Sequence, residues 1–174
     1  FIDLSKAFDR VHHQALLLTL QRCGVGGLAL QWFGDYLSNR CQRVARLHSP
    51  SDCPFEHIEQ GVPQGSVLGP LLFNICLAKL PGLVASRCGA ELLLFADDKT
   101  LYADGATLSQ ACATVSASLS VICDDISRMG LCVNLDKSVA MMICPPRSLV
   151  DPQARVVSNA GHSLKVVASI GVWE

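Results

Sequence analysis

The spacing of apolar side chains along the chain predicts several amphipathic helices. The clearest covers residues 107–129, where apolar positions recur at steps of three and four, as on the buried face of an α-helix. Thr107 and Gln110 form a capping box at its start, and Gly130 ends it. The same pattern predicts further helices over residues 11–23, 28–38 and 70–80.

Short apolar runs bounded by turn residues predict the strands. Residues 92–103 contain two apolar runs separated by Asp97 and Asp98, which is typical of a buried β-hairpin with the aspartates at its turn. Residues 81–90 have no clear pattern. Together these elements predict an α+β fold, with helices packed on a mixed sheet. The other predicted strands lie in residues 1–5, 41–47, 55–59, 133–143 and 155–172, the last as two or three short strands.

Length and composition limit the class of protein to which this chain can belong. The 174 residues suit one domain or a piece of one, and we expect a piece of a longer polypeptide, since the chain begins without Met. A net charge of −1 is low for a protein that binds phosphates. The nine cysteines form no C-x-x-C motif and suggest a reducing compartment. No signal peptide is apparent, and we expect no membrane span because no apolar run reaches about 20 residues.

Aspartates at the ends of predicted strands are the candidate catalytic or metal-binding residues. Adjacent carboxylates at a buried strand end are costly unless a cation lies nearby. Taken alone, Asp97 and Asp98 favour a solvated turn, and the pair at 124–125, on the polar side of a predicted helix, needs no metal. However, Asp3 also ends an apolar strand, and the Gly/Pro-rich loop Gly61–Gly65 precedes an apolar helix. These two stretches favour a functional role for Asp97 and Asp98 over a solvated turn.

Three motifs carry a family resemblance. Residues 3–9 read Asp-Leu-Ser-Lys-Ala-Phe-Asp, residues 61–73 read Gly-Val-Pro-Gln-Gly-Ser-Val-Leu-Gly-Pro-Leu-Leu-Phe, and residues 95–98 read Phe-Ala-Asp-Asp. Their order and separations resemble motifs A, B and C of reverse transcriptases, most closely the non-LTR (LINE-like) retrotransposon type. Residues 130–138, Gly-Leu-Cys-Val-Asn-Leu-Asp-Lys-Ser, resemble motif D. The resemblance implies a polymerase palm over residues 1–174 with motifs A to D, lacking fingers and thumb. It also implies an enzyme of the cell interior, with the nucleus as a candidate location.

The implied activity is RNA-directed DNA synthesis with two magnesium ions, or manganese in their place. An RNA template, a DNA primer and deoxynucleoside triphosphates are the implied partners. Nucleotidyl transfer uses two metal ions about 3.5–4 Å apart, which Asp3 and Asp97 would bridge. Asp98 is expected to be a looser ligand, because successive strand residues point to opposite faces. The Leu4 carbonyl is a further metal ligand by resemblance.

The resemblance also assigns substrate contacts, each with a structural alternative. Phe8 would close the space of the ribose 2′-hydroxyl, or it is a core aromatic. Gln64 and Gly65 would pack over the incoming nucleotide and template base, or they form a plain turn that Gly65 permits. Lys137 would donate a proton to pyrophosphate or hold the triphosphate, or it is a surface lysine. We expect Asp9 to cap the helix that follows.

Other interpretations stay open. The nearest is a group II intron-type reverse transcriptase, although the Ser-Val-Leu-Gly-Pro-Leu-Leu-Phe stretch favours the retrotransposon type. A non-catalytic RNA-binding or structural remnant is the alternative from another class, against which the intact Asp3, Asp97 and Asp98 argue. Two features depart from the family pattern: a His-His pair at 12–13, and Ser-Ile-Gly-Val at 169–172, where the primer-gripping hairpin usually has Leu-Gly.

Overall fold

The computed structural model describes residues 1–44, 54–144, 154–158 and 161–171. It divides into two compact units, one formed by Phe1–Ser5 with Leu77–Glu174 and the other by Lys6–Cys76. In chain order the elements are β1 (Asp3–Leu4), a 3-10 turn (Ala7–Arg10), α1 (His13–Arg22), α2 (Gly27–Leu37), β2 (Arg40–Gln42), β3 (Glu56–Ile58), α3 (Gly69–Leu77), α4 (Leu80–Cys88), β4 (Glu91–Phe95), β5 (Asp98–Tyr102), α5 (Leu108–Ser127), β6 (Val133–Asn134), β7 (Val139–Cys144) and β8 (Lys165–Gly171). The mixture of helices and strands agrees with the predicted α+β class.

Helices with a single apolar stripe lie where the sequence predicts them. The helices α1, α2 and α5 match the predicted segments to within two residues at each end. The α1 helix starts later than predicted because Val11 is extended and its carbonyl accepts a hydrogen bond from the Gly61 N–H, at 2.7 Å. At α5 the Thr107 hydroxyl caps the Gln110 N–H, as predicted.

The segment after α3 differs from the prediction. The helix predicted over 70–80 ends at Leu77, and residues 81–90, which had no clear pattern, lie largely in α4. Pro81 lies in the first turn of α4, where its missing N–H is tolerated, and Gly89 ends the helix with φ of +68°. The helix has only nine residues and contains Pro81 and Gly82, which are typical of turns, so its sequence carries no clear helical signal.

Among the residues that the structure describes, one segment is apolar and long enough to cross a membrane by length and composition alone. It is Gly69–Cys88, which covers α3 and α4 and has a mean hydropathy of 1.4. This finding qualifies the expectation that no apolar run reaches that length. It is weak evidence for a span, because core helices of soluble proteins pass the same test.

The strands of the first unit are arranged around β1. The β4–β5 hairpin pairs Phe95 with Asp98, and β1 pairs with β6, antiparallel in both cases. A bridge from Ile2 to Lys99 also joins β1 to β5. The strands β7 and β8 pair in parallel. Among the described residues the strands form four two-stranded ladders, β1–β6, β2–β3, β4–β5 and β7–β8, in place of the one mixed sheet that was predicted.

The predicted strand within 133–143 is two strands, β6 and β7. They are separated by a turn in which the Ser138 N–H donates to the Asn134 carbonyl and the Lys137 N–H to the Asn134 side-chain oxygen. In place of two or three strands in 155–172, the described part holds β8 and an isolated bridge between Val157 and Ser163. Val172, in the predicted primer-gripping hairpin, lies outside the described residues, as do residues 45–47 of another predicted strand.

The acidic pair on α5 does not lie wholly on a polar face. Asp124 is exposed, but Asp125 is buried and forms an ion pair with Lys79 at 2.7 Å. The expectation that the pair lies on the polar side of the helix is therefore wrong for Asp125, whose counter-charge is a lysine. Lys79 immediately precedes α4, so this ion pair joins α4 to α5.

Candidate active site

Asp97 and Asp98 occupy the tip of the β4–β5 hairpin. Since Phe95 pairs with Asp98, the turn consists of Ala96 and Asp97. Ala96 has φ of +51°, a left-handed conformation that glycine adopts with less strain. The two aspartates therefore lie at the turn, as predicted, with Asp98 as the first residue of β5.

The third predicted carboxylate, Asp3, lies on the strand next to this hairpin. The antiparallel register that pairs Ile2 with Lys99 brings Asp3 next to Asp98. The Asp3 N–H donates to the Ser138 hydroxyl at 3.1 Å, and this hydroxyl donates to the Asn134 carbonyl at 2.7 Å. Because Ser138 is buried, this turn fixes the backbone of the residue that carries the carboxylate.

A buried lysine accompanies the three carboxylates. Lys99 is 2% exposed, and its ammonium group donates to the Asp97 carbonyl at 2.8 Å. Burial lowers the pKa of Lys99 from 10.5 to about 8, while Asp97, Asp98 and Asp3 act to raise it. The ammonium therefore lies within the field of all three carboxylates and offsets their mutual repulsion. Sequence analysis missed Lys99, although a lysine directly after two aspartates in an apolar hairpin was the available signal.

The donor set suits a hard divalent cation. All the predicted ligands are oxygen atoms, and Mg²⁺ is commonly held by one or two carboxylates together with substrate phosphates. Within the described ranges, no three His, Cys, Asp or Glu side chains are grouped closely enough to hold a metal ion. The ligand roles of Asp3, Asp97 and Asp98, and that of the Leu4 carbonyl on the strand residue paired with Val133, remain predictions.

Lys137 lies in the same turn that positions Asp3. Its backbone N–H donates to Asn134 at 3.3 Å, and the residue is exposed. An exposed amine can move toward a bound triphosphate or stay in solvent, so both interpretations of Lys137 fit this position. Its role in catalysis or substrate binding remains a prediction.

In the second unit, Phe8 is half-buried and stacks on Phe73, with ring centroids 4.5 Å apart and an interplanar angle of 25°. Phe73 is fully buried. Phe8 thus has the core contact of the structural alternative, and its remaining surface is accessible. A contact between Phe8 and the ribose remains a prediction.

The Pro-Gln-Gly loop has two distinct features. Gln64 donates from its amide nitrogen to the Asp9 carboxylate at 2.6 Å. Gly65 has φ of +81°, and a side chain placed there would meet no atom within 4 Å. The backbone at Gly65 is therefore open to a ligand. Nucleotide contacts by Gln64 and Gly65 remain predictions.

Asp9 has a different role from the predicted one. The residue before α1 is His12, whose side chain makes no capping hydrogen bond, and Asp9 lies in the preceding 3-10 turn. Its carboxylate instead accepts from Gln64. The predicted capping by Asp9 is therefore wrong, because the chain is extended at Val11 and His12 before the helix begins.

Comparison with known proteins identifies the family. A family profile described as "Reverse transcriptase (RNA-dependent DNA polymerase)" matches residues 1–166. The chain belongs to the reverse transcriptase family. This match covers all the motifs from which the resemblance was inferred, including the strand that carries Asp3 and the hairpin whose turn contains Asp97.

The relatives of this reverse transcriptase chain are retrotransposon proteins. It is 28% identical to the Pol polyprotein of retrotransposable element R2 from Popillia japonica, over 88% of the chain and 22% of the relative. It is 31% identical to a probable RNA-directed DNA polymerase from transposon BS of Drosophila melanogaster, over 80% of the chain and 16% of the relative. It is 30% identical to the RNA-directed DNA polymerase from mobile element jockey of Drosophila funebris, over 83% and 17%.

These matches confirm the resemblance to the non-LTR retrotransposon type. The reverse transcriptase chain spans about a fifth of the length of the curated relatives it matches.

Proposed function

We propose that this chain is the palm of a non-LTR retrotransposon RNA-directed DNA polymerase, with motifs A to D within residues 1–174. The observation that carries the proposal is the placement of Asp3 beside the hairpin tip that holds Asp97 and Asp98. Family membership supports it. The substrates are an RNA template, a DNA primer and deoxynucleoside triphosphates, and the site of action is inside the cell.

The carboxylates would hold the reacting groups in line. Asp3 and Asp97 would bind two divalent ions, magnesium or manganese, with Asp98 and the Leu4 carbonyl as further ligands. When bound, these ions supply activation of the primer 3′-hydroxyl and neutralisation of charge on the triphosphate. Fixed by the Ser138 turn, Asp3 enters this arrangement with little loss of backbone entropy.

The remaining site residues would bind and select the nucleotide. Phe8 would lie beneath the ribose, and Gln64 and Gly65 would pack over the base and the template. Lys137 would hold the triphosphate or protonate the leaving pyrophosphate. The open side of Gly65 and the accessible part of Phe8 support these assignments.

The decisive experiment is Asp97→Asn in the intact protein. We expect primer extension on an RNA template to fall by more than about 10²-fold, because a metal-binding charge is removed at the reacting centre. Asp124→Asn is the matched control, since it removes an exposed carboxylate on α5. Both variants are compared with the wild type by single-turnover extension and thermal melting.

Two outcomes would overturn the proposal. Near-normal extension by Asp97→Asn would remove the two-metal assignment. A well-folded intact protein that binds RNA but extends no primer would favour the non-catalytic alternative.

A further inference from the structure

The segment after motif A is joined to the Pro-Gln-Gly loop by backbone hydrogen bonds. The Val62 N–H donates to the Phe8 carbonyl at 2.8 Å, and the Gly61 N–H to the Val11 carbonyl at 2.7 Å. All four residues lie in the Lys6–Cys76 unit. The loop therefore starts from a fixed position relative to Phe8.

Close backbone packing reinforces this contact. A side chain at Gly61 would place its Cβ 2.8–2.9 Å from the Asp9 backbone, and Gly61 has φ of +93°. Both the space and the conformation require glycine here. The loop thus lies directly against the backbone of Asp9.

The Asp9 side chain determines which way the Gln64 amide points. A carboxylate only accepts hydrogen bonds, so the Gln64 atom 2.6 Å from Asp9 must be the amide nitrogen. This contact leaves the Gln64 carbonyl oxygen and its second N–H for other partners. Without the carboxylate, the amide could rotate by 180° and exchange its donor and acceptor.

His13 holds the other end of the loop. Its Nε2 lies 2.7 Å from the Gly61 carbonyl oxygen, and since a carbonyl only accepts, Nε2 is the donor. His13 is half-buried in the first turn of α1, whereas the neighbouring His12 is exposed. The second histidine of the His-His pair is therefore the one that contacts the loop.

We propose that Asp9 and His13 are positioning residues of the polymerase, which hold the Gly61–Gly65 loop in place and fix the orientation in which Gln64 meets the incoming nucleotide. This inference rests on the proposed function, because it assumes that the loop packs over a nucleotide. It adds residues outside the predicted catalytic and substrate-binding set. It also gives a role to Asp9, which was predicted to cap a helix. His13 gains a role as well, although the His-His pair departs from the family pattern.

The expected effect is on nucleotide binding more than on chemistry. A mobile loop would bind a correct deoxynucleotide less well and would discriminate less against a mismatched one, whereas the carboxylates that carry the chemistry would stay in place. Loss of one charge-assisted hydrogen bond corresponds to roughly a tenfold change. We therefore expect KM to rise roughly tenfold in Asp9→Ala, with kcat changed less than threefold.

The experiment uses matched pairs in the intact protein. His13→Ala is compared with His12→Ala, and Asp9→Ala with Asp35→Ala, an exposed aspartate of the same unit. Asp9→Asn is the conservative variant, because its side-chain oxygen can still accept from Gln64 and should restore part of the affinity. The readouts are KM and kcat for matched and mismatched deoxynucleotides, and hydrogen exchange of the Gly61–Gly65 amides.

The proposal expects a higher KM, weaker mismatch discrimination and faster loop exchange in Asp9→Ala and His13→Ala, and none of these in the controls. It is overturned if KM and exchange match those of the controls, or if kcat and melting temperature fall together while KM stays constant. The exchange measurement does not depend on polymerase activity. Failure of the proposed function, seen as an inactive wild type, is therefore distinguishable from failure of this inference.

Discussion

Phe8 has a packing contact in the structure, and its proposed role in sugar selection depends on the rest of its ring. One part of its ring stacks on the fully buried Phe73, and the rest stays accessible. A ring supported in this way cannot easily move aside, so a 2′-hydroxyl placed against it would lose its hydrogen bonds to water without gaining a partner. The same contact with Phe73 means that truncation also has a cost in stability.

Phe8→Val in the intact protein separates these contributions. We expect kcat/KM for ribonucleotides to rise relative to deoxynucleotides by at least about tenfold, because the steric exclusion is removed. We also expect a destabilisation of about 1–3 kcal/mol, less than for a fully buried phenylalanine. Phe33→Val, another half-buried phenylalanine of the same unit, is the control. An unchanged sugar ratio with reduced stability would assign Phe8 to the core alone.

The site could be predicted from sequence only in part. Asp3, Asp97 and Asp98 stand out because carboxylates at the ends of apolar strands are costly and need an explanation. The contacts of Gln64 with Asp9 and of His13 with Gly61 join residues 55 and 48 positions apart, and no local periodicity reports such contacts. Only the structure shows that they exist.

At the scale of elements, predictability depended on the apolar pattern. The helix α5 has a regular stripe and a side-chain cap, so it was predicted closely. The helix α4 is short and has Pro81 and Gly82 near its start. The break between β6 and β7 depends on the Asn134 side chain accepting a backbone N–H. Such a turn is set by a few specific hydrogen bonds, which average propensity does not capture.

The ion pair between Lys79 and Asp125 provides a test at this scale. Asp125→Asn leaves a buried polar group without its cation, so we expect a loss of about 1–3 kcal/mol in the free energy of unfolding. Asp124→Asn makes the same chemical change one residue earlier at an exposed position and should cost less than about 0.5 kcal/mol. Urea denaturation measures both. Equal losses would show that this ion pair does not stabilise the packing of α4 with α5.

At the scale of the whole molecule, charge limits what the chain can do alone. Its 14 lysines and arginines are outnumbered by 15 aspartates and glutamates. Affinity for nucleic acid comes largely from phosphates neutralised by basic side chains. A chain with this balance, spanning about a fifth of its relatives' length, should have little electrostatic affinity for a primer–template.

The 174-residue chain expressed by itself should therefore bind a primer–template weakly and extend it poorly. We expect a Kd no tighter than the range of about 10⁻⁴–10⁻⁶ M that is typical of non-specific binding, and a shallower salt dependence than that of the intact protein between about 50 and 200 mM salt. Fluorescence anisotropy across a salt series measures the affinity and the slope, and the intact protein provides the comparison. Because the slope is proportional to the number of phosphates neutralised, a smaller slope for the isolated chain would show that it makes fewer phosphate contacts. Robust extension by the isolated chain at about 150 mM salt would contradict this prediction, since binding would then depend on contacts that net charge does not reveal.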